Sequence, residues 1–403
     1  MTMHISASHF MRGLLFASAA IAVLPCSAYA LDGQDLLKKI NAAYAAGGAA
    51  INATAVEVNG DTVILRNTTL KPDAASTKDP VPLGTVTMKG VAAIDDGSYE
   101  IDRVEFQPIN ITENKSTMTA SDLYLSGVTV PAKTDGADLS SILFYEKAHS
   151  GPINVKVDGK DILSVGEVQA NSAIEDDGAS LSFDANITGF KLDLSTVDDA
   201  KSKEAIDALA LSSLDGSMSM KGSWEVHSGN IDIEEYVLDF KNVGKLDLSL
   251  SLSGYTMDLM KQIQDAAKTA EANSADPQAK QAAGIATLGL LQQMSFTGAD
   301  IRFDDAGLTA RALDYSGKAQ GVSGKDMGQM IKAMTPLVLA QAKLGALQNS
   351  VSAAVNAYID NPKSFSISAA PENPVPFPMI IGAAMGAPET LPKVLGVDVS
   401  AND

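Results

Sequence analysis

The side chains that most often carry catalysis or bind metals are scarce in this sequence. After residue 30 the only histidines are His149 and His227, and the single cysteine, Cys26, precedes them. Neither histidine has a second histidine or a carboxylate at a spacing typical of zinc sites. Motifs for a serine nucleophile, a phosphate-binding loop or a dinucleotide site do not occur. We therefore assign no catalytic, metal-binding or cofactor-binding residue and expect no cofactor.

Acidic residues recur beside glycine in three segments: Asp95-Asp96-Gly97, Asp176-Asp177-Gly178 and Asp304-Asp305-Ala306-Gly307. Such clusters could bind calcium, but the twelve-residue calcium loop that closes on a glutamate is absent. Asp and Gly also tolerate the left-handed backbone that tight hairpin turns require. We predict turns between strands in all three segments.

A pair of carboxylates that cleaves glycosidic bonds is the one enzymatic alternative left open by the composition. Sugar-cleaving sites usually add aromatic platforms, and this chain has one tryptophan, Trp224. We expect a protein that is not an enzyme, and a hydrolase remains the less favoured alternative.

The first thirty residues have the composition of an export signal. They contain no Asp or Glu, and Arg12 precedes an apolar run, LLFASAAIAVL, that ends at Leu24. As a helix this run would span about 16 Å, which is too short for the hydrocarbon core of a bilayer. Ala28 and Ala30 form the small-residue pattern of a cleavage site. We predict a signal peptide over residues 1–30 and an exported, soluble periplasmic protein.

The hydropathy and the net charge of the chain restrict which partners it can bind. No segment after the signal is apolar over enough residues to span a membrane as a helix, and Pro25 before Cys26 fits a lipidation site poorly. The formal net charge of -19 repels nucleic acid and anionic lipid head groups, so nucleic-acid binding is excluded. The 45% hydrophobic content is sufficient for a packed core.

An internal repeat relates two segments 132 residues apart: GTVTMKG at 84–90 is matched by GSMSMKG at 216–222. In each copy the apolar residues that follow alternate and then skip three positions. A strand with a period of two keeps one face buried across such a skip only if a bulge adds a residue. We predict equivalent hairpins over 84–111 and 216–243. The predicted bulges are Asp102-Arg103 and Glu234-Glu235.

Other strands are predicted from the alternation of apolar and polar residues. Val56 to Leu65 forms a hairpin with Asn59-Gly60 in its turn, and 181–187 and 246–252 alternate apolar with polar residues. Residues 71–82 form a loop. His227 lies beside the turn of the second repeat, where the first has Asp95, so we expect it to be exposed.

Helical spacing of apolar residues predicts helices between the strands. They are expected over 36–44, 198–210 and 256–272, after Asp276-Pro277 with Ile285, Leu288 and Leu291, after Ser323, and around Val351, Val355 and Tyr358. The helix after Ser323 carries Met327, Met330, Ile331 and Met334. This stripe could form a plastic ligand surface, but we expect ordinary core packing. The segment from Pro371 to Pro378 should be extended.

These elements predict an α+β fold, mainly antiparallel β, with long twisted or curled sheets built from repeated hairpins and helices over one face or the ends. After the signal we expect a first helix and β-repeat unit over 31–130 and a second β-rich unit over 131–255. A helix-rich part with a few strands and a Pro-rich tail follows over 256–403.

The Met-Lys-Gly strands, the segment DDAGL at 304–308 and the tail from Pro374 to Asn402 resemble uncharacterised periplasmic proteins of alphaproteobacteria. More remotely, the pattern is similar to AsmA-like and YdgA-like envelope proteins. That resemblance implies repetitive sheets around an apolar groove and a role in envelope or lipid homeostasis. Those families usually keep an N-terminal membrane anchor, whereas the leader of this chain has the features of a cleavable signal.

The expected function is a non-enzymatic periplasmic envelope protein that binds a lipid or another apolar ligand in a sheet-lined groove. The alternative is a structural or assembly partner of other envelope proteins. Both hypotheses rest on alternating strands with much aliphatic surface and no recognisable chemistry.

Overall fold

The computed structural model of the protein describes residues 31–45, 48–71, 80–136, 138–175, 178–272 and 277–403. This part of the chain forms one antiparallel sheet of 20 strands and nine α-helices. The fold is α+β with an open sheet, which confirms the predicted fold class. The predicted signal peptide lies outside the described residues.

The strands of the first half are short to medium in length. They are β1 Ala50–Asn52, β2 Ala55–Asn59, β3 Thr62–Lys71, β4 Val81–Ala93, β5 Tyr99–Phe106, β6 Ile109–Glu113, β7 Ser116–Ala120, β8 Tyr124–Val130, β9 Phe144–Ser150 and β10 Ile153–Val157. The strands of the second half include the longest ones. They are β11 Lys160–Val165, β12 Glu167–Ile174, β13 Ser180–Asp193, β14 Ser213–Glu225, β15 Asn230–Phe240, β16 Gly244–Ser253, β17 Ser295–Asp305, β18 Ser364–Ala369, β19 Val375–Pro376 and β20 Val397–Ala401.

One helix precedes the sheet and the others are inserted between later strands. The helices are α1 Gly33–Ala45, α2 Ala200–Ala208, α3 Met257–Ala272, α4 Pro277–Leu291, α5 Leu308–Ala319, α6 Gly324–Gln341, α7 Gln348–Asp360, α8 Phe377–Gly386 and α9 Leu391–Val394.

The sheet is a meander in which each long strand pairs with the next along the chain. Four of these long strands are interrupted: β5 continues into β6, β7 into β8, β9 into β10 and β11 into β12. One part of each interrupted strand belongs to the series β5–β8–β9–β12–β13, and the other part belongs to the series β6–β7–β10–β11–β13. The interruptions lie side by side, since the amide of Gly151 donates to the carbonyl of Ser121 (3.0 Å) and that of Gly166 to Thr188 (2.9 Å). Interruptions of this kind are where sheets bend.

The internal repeat is confirmed as a structural repeat. Strands β4 and β14 begin and end at equivalent positions of the two copies, and each forms an antiparallel hairpin with the strand that follows, β5 or β15. His227 is exposed in the turn of the second hairpin, as expected.

The two hairpins accommodate the three-residue spacing between apolar residues in different ways. In the second, Lys221 pairs with Glu235 and Gly222 with Ile233, so Glu234 is the extra residue of a bulge, as predicted. In the first, the pairing on both sides of Gly90 and Asp102 keeps the same register, so the predicted one-sided bulge at Asp102-Arg103 is wrong. Gly90 has a φ of 63°, and neither Gly90 nor Asp102, which lie opposite each other, is paired in the ladder. Each strand therefore contains one irregular residue at the same level, and the register is unchanged.

Two predicted turns need correction. Asn59 ends strand β2, and the turn is Gly60-Asp61 with a φ of 63° at Gly60. Asp95-Asp96-Gly97 does connect β4 to β5, whereas Asp304-Asp305 ends β17 and leads into helix α5. The carboxylate of Asp305 accepts from the amides of Gly307 and Thr309 (both 2.8 Å), so it caps a helix rather than a hairpin. Asp176 and Asp177 lie outside the described residues.

The predicted helices are confirmed, and the tail is not. Ser323 caps α6 by accepting from the amide of Asp326 (3.1 Å). Helix α5 was not predicted, and the tail is extended only through β19 before helix α8 begins at Phe377. Of the residues predicted as a loop over 71–82, Lys71 belongs to β3, and Val81 and Pro82 belong to β4; residues 72–79 lie outside the described part of the chain.

The main hydrophobic core lies between helix α1 and strands β3, β4, β5 and β8. Leu36 of the helix is fully buried, and Ile40 one turn later packs beside it. The helix is also held by polar contacts: Lys39 donates to the carbonyl of Gly97 (2.7 Å), and the hydroxyl of Tyr99 donates to Asp35 (2.9 Å). Burial, together with the hydrogen bond to Asp35, raises the pKa of Tyr99 to about 12.

We expect Leu36→Ala to lower the free energy of unfolding by about 2–5 kcal/mol, because it opens a cavity in a core that α1 alone covers. The matched control is Val58→Ala, a truncation at a side chain that is 40% exposed. It should cost less than about 1 kcal/mol. Urea unfolding followed by circular dichroism measures both, and equal losses would contradict the assignment of α1 as a core element.

We expect Tyr99 to titrate near pH 12 in an ultraviolet absorbance titration, later than an ordinary tyrosine with a pKa of 10.0. Its folded pKa is raised, so its contribution to stability is complete below pH 10 and is lost as the pH rises toward 12. Tyr99→Phe should remove this late transition. Asp35→Asn should move it to lower pH, and an unchanged titration in both variants would contradict the contact.

Candidate functional site

A single row of apolar residues crosses the sheet from one side to the other. Each residue is the direct cross-strand partner of the next, so all of them lie on one face, here called the inner face. The row runs through thirteen strands and consists of Val63, Met88, Val104, Leu125, Ala148, Ala170, Ala185, Met220, Tyr236, Leu248, Ile301, Ile367 and Val399.

Three flanking rows extend the inner face between strands β12 and β20. They carry no charged side chain. On one side lie Val168, Ile187, Met218, Leu238, Leu246, Phe303, Phe365 and Ala401. On the other side lie Phe183, Gly222, Ile233, Leu250, Ala299, Ala369 and Val397, followed by Ile174, Leu181, Trp224, Ile231, Leu252, Phe296 and Val375.

Burial along the row changes from complete to partial. Val63 is 0% exposed beneath helix α1, whereas Tyr236 is 38%, Ile301 46% and Ile367 41% exposed. Val399, at the far end, is buried again. The strands from β15 to β18 therefore present an apolar surface to solvent, which is unusual for a sheet face that elsewhere forms the core.

Two cavities lie at the covered end of the inner face. One of about 50 Å³ lies under α1, lined by Ile40, Val86, Met88 and Val104 among others. A second of about 310 Å³ lies at the interruptions of the sheet, lined by apolar residues that include Leu83, Phe106, Leu125, Ala148, Val168 and Ala170, and also by Tyr124, His149 and Ser150. Leu83, Phe106 and Leu125 line both cavities, so the two adjoin. The apolar space thus continues from the core toward the open part of the row.

The small cavity contains one unsatisfied polar group. Thr68 is 1% exposed, and its hydroxyl has no hydrogen-bond partner among the described residues. A buried hydroxyl without a partner costs about 1–3 kcal/mol. The cavity is therefore not a fully optimised core.

The opposite, outer face is polar and holds its charges in pairs. Lys89 and Arg103 both contact Glu105 (2.7 and 3.0 Å), and hydrogen bonding from Lys89 lowers the pKa of Glu105. Farther along, Lys221 contacts Glu234 at 2.5 Å. The sheet thus has one apolar and one charged face.

His149 belongs to the outer face and bridges the interruptions of the sheet. Its Nε2 lies 3.0 Å from Asp122, its Nδ1 lies 3.5 Å from Glu167, and its ring stacks on Tyr124. Arg103 covers the other side of that stack, 3.7 Å from the Tyr124 ring centroid. The histidine joins three neighbouring strands, with no nucleophile among these contacts. This arrangement is suited to holding the bend together.

The methionine stripe of α6 differs from the prediction. Met327 is buried, but Met330, Ile331 and Met334 are exposed, so core packing is wrong for three of the four residues. The exposed stripe continues through Leu337 and Val338. Trp224 is a core residue whose indole donates to the carbonyl of Tyr255 (2.8 Å).

In the described residues no three His, Cys, Asp or Glu side chains are placed to hold a metal ion. Among the helices of the same residues, none is long and apolar enough to cross a membrane.

A family model described only as an uncharacterized protein matches residues 237–402, which include strands β16 to β20 and helices α3 to α9. No curated protein matches the chain.

Proposed function

We propose that this is a non-enzymatic periplasmic envelope protein that binds a lipid or another apolar ligand against the inner face of its sheet. The observation that carries the proposal is the unbroken apolar row, packed at one end and exposed over strands β15 to β18. The resemblance to AsmA-like and YdgA-like proteins supports the same interpretation.

The dimensions of the exposed stretch suit an acyl chain. Neighbouring strands are about 4.8 Å apart, so the three spacings from Tyr236 to Ile367 measure about 14 Å. One leaflet of a bilayer has about 15 Å of hydrocarbon. The length of the exposed stretch is therefore close to the thickness of the hydrocarbon in one leaflet, which an acyl chain spans.

The exposed side chains alone would give weak binding. Full burial of an aliphatic side chain is worth about 1.5–3 kcal/mol, so covering the exposed parts of Tyr236, Leu250, Ile301 and Ile367 gives about 2–5 kcal/mol. That corresponds to a Kd of about 0.2 mM at best. Tighter binding therefore requires the flanking rows or the adjoining cavities, which favours a ligand with a long apolar chain.

The chemistry of the inner face restricts which part of the ligand it contacts. The four rows contain no charged side chain, and the charged groups belong to the outer face. A charged head group would lose its hydration on the inner face without gaining a partner. Only the apolar part of an amphipathic ligand belongs there, and its head group remains in water.

Assembly with other envelope proteins is the alternative. Within the described residues β2 pairs only with β3, so its other edge offers unpaired backbone groups to a partner strand. Crosslinking in cells that captures no protein neighbour would count against this alternative.

We expect the double variant Ile301→Lys and Ile367→Lys to weaken binding of a fluorescent fatty-acid probe by at least about tenfold, because two charges would have to be buried under the ligand. Both positions are partly exposed, so the fold should persist. The control is Ser368→Lys on the same strand, whose side chain points to the outer face opposite Asp300. Probe fluorescence titration measures all three proteins.

The unaltered protein should also carry co-purifying lipid, detectable by native mass spectrometry and lipid extraction. A protein that carries no lipid and gives no saturable probe binding would refute the proposal. Equal weakening by the inner-face and outer-face lysines would also refute it.

A further inference from the structure

Two of the C-terminal helices, α6 and α8, expose large apolar side chains to solvent. On α6, Met334, Leu337 and Val338 are exposed at helical spacing, and Leu337 is 69% exposed. On α8, Met385 is 85% exposed. The stretch from Ala333 to Ala342, which includes most of the second half of α6, contains no charged residue, and neither does α8. The second half of α6 and the whole of α8 therefore lack the charged residues that a water-exposed helix normally presents.

The helices concerned are linked through a series of contacts, in which α6 is joined to the others by a 3-10 turn. Helix α8 touches both α4 and α9, and α9 touches the short 3-10 turn Gly345–Leu347 that directly follows α6 and contacts it. On α4, Ile285 and Leu288 are also exposed. The exposed apolar residues thus belong to one connected layer of helices, here called the helical layer (α4, α6, α8 and α9).

The charge of this part of the chain differs from that of the whole. Residues 308–396 contain seven Lys or Arg and five Asp or Glu, whereas the complete chain contains 30 and 49. Lys343 follows α6 and Lys393 lies in α9, and within the described residues neither forms an ion pair. At physiological salt, charges farther than about 8 Å are largely screened, so the local charge governs a contact.

We propose that the helical layer docks on a lipid bilayer surface, with the apolar side chains of α6 and α8 among the acyl chains and Lys343 and Lys393 at the level of the phosphates. A helix with an exposed apolar face can bury that face at the boundary between head groups and acyl chains, and basic residues beside it favour anionic head groups. A second copy of the chain fits this layer less well, because an interface between two such layers would bring Lys343 and Lys393 of both copies together without acidic partners. The inference goes beyond ligand binding by the sheet, and either can hold without the other.

The experiment is co-flotation of the purified protein with vesicles of phosphatidylcholine, alone or mixed with phosphatidylglycerol at about 7 to 3. We expect the protein to float with both and to bind the mixed vesicles more tightly. The double variant Leu337→Glu and Val338→Glu should lower the bound fraction by at least about tenfold, because two carboxylates would have to enter the interface. Lys343→Ala with Lys393→Ala should remove only the preference for the mixed vesicles.

The matched control is the double variant Met118→Glu and Val157→Glu, which places the same charge at two exposed apolar residues on strands β7 and β10 and should leave flotation unchanged. Circular dichroism verifies that each variant is folded. Flotation with neither vesicle, or equal flotation of the α6 variant and the control, would overturn the proposal. Size-exclusion chromatography in which the α6 variant converts a dimer to a monomer would assign the stripe to self-association and overturn it as well. The fatty-acid probe titration on the same samples reports the sheet separately, so failure of one function is distinguishable from failure of the other.

Discussion

Cross-strand register is the constraint on which the rest of this structure depends. In an antiparallel sheet a slip of one residue moves every side chain of a strand to the other face. Thirteen strands keep an apolar residue in one lateral row, although the chain contains a bulge at Glu234 and a shared kink at Gly90 and Asp102. These irregularities add residues where the alternation would otherwise fail, and they preserve the inner face.

The inner face serves two purposes along its length. Beneath α1 it is a core in which Leu36 and Val63 are both fully buried, and the contact between Asp35 and Tyr99 fixes the helix. From β15 to β18 the same face has too little cover, so its stabilisation by burial is incomplete. A ligand that covers this part would stabilise the folded state by mass action. The apolar row thus connects folding to the proposed binding.

Several features were predictable because they depend on local residue patterns. The repeat, the Glu234 bulge and the cap at Ser323 follow from alternation and capping chemistry. The capping role of Asp305 was missed because the same Asp and Gly residues suit both a hairpin turn and a strand-to-helix junction. The exposed methionines of α6 were misassigned because helical spacing identifies an apolar stripe but not whether anything covers it. The row itself depends on the register of every strand pairing from β3 to β20, which a single sequence does not specify.

Reactivity of single cysteines tests the central claim most directly, namely that one continuous apolar face changes from core to open surface. In a Cys26→Ser background, cysteines would replace Val63, Val104, Tyr236, Ile301 and Ile367 one at a time. The account predicts that a maleimide modifies the last three at least about tenfold faster than the first two, and that a bound fatty acid slows only those three. Cysteines at 301 and 367 that are as protected as the one at 63 would contradict it.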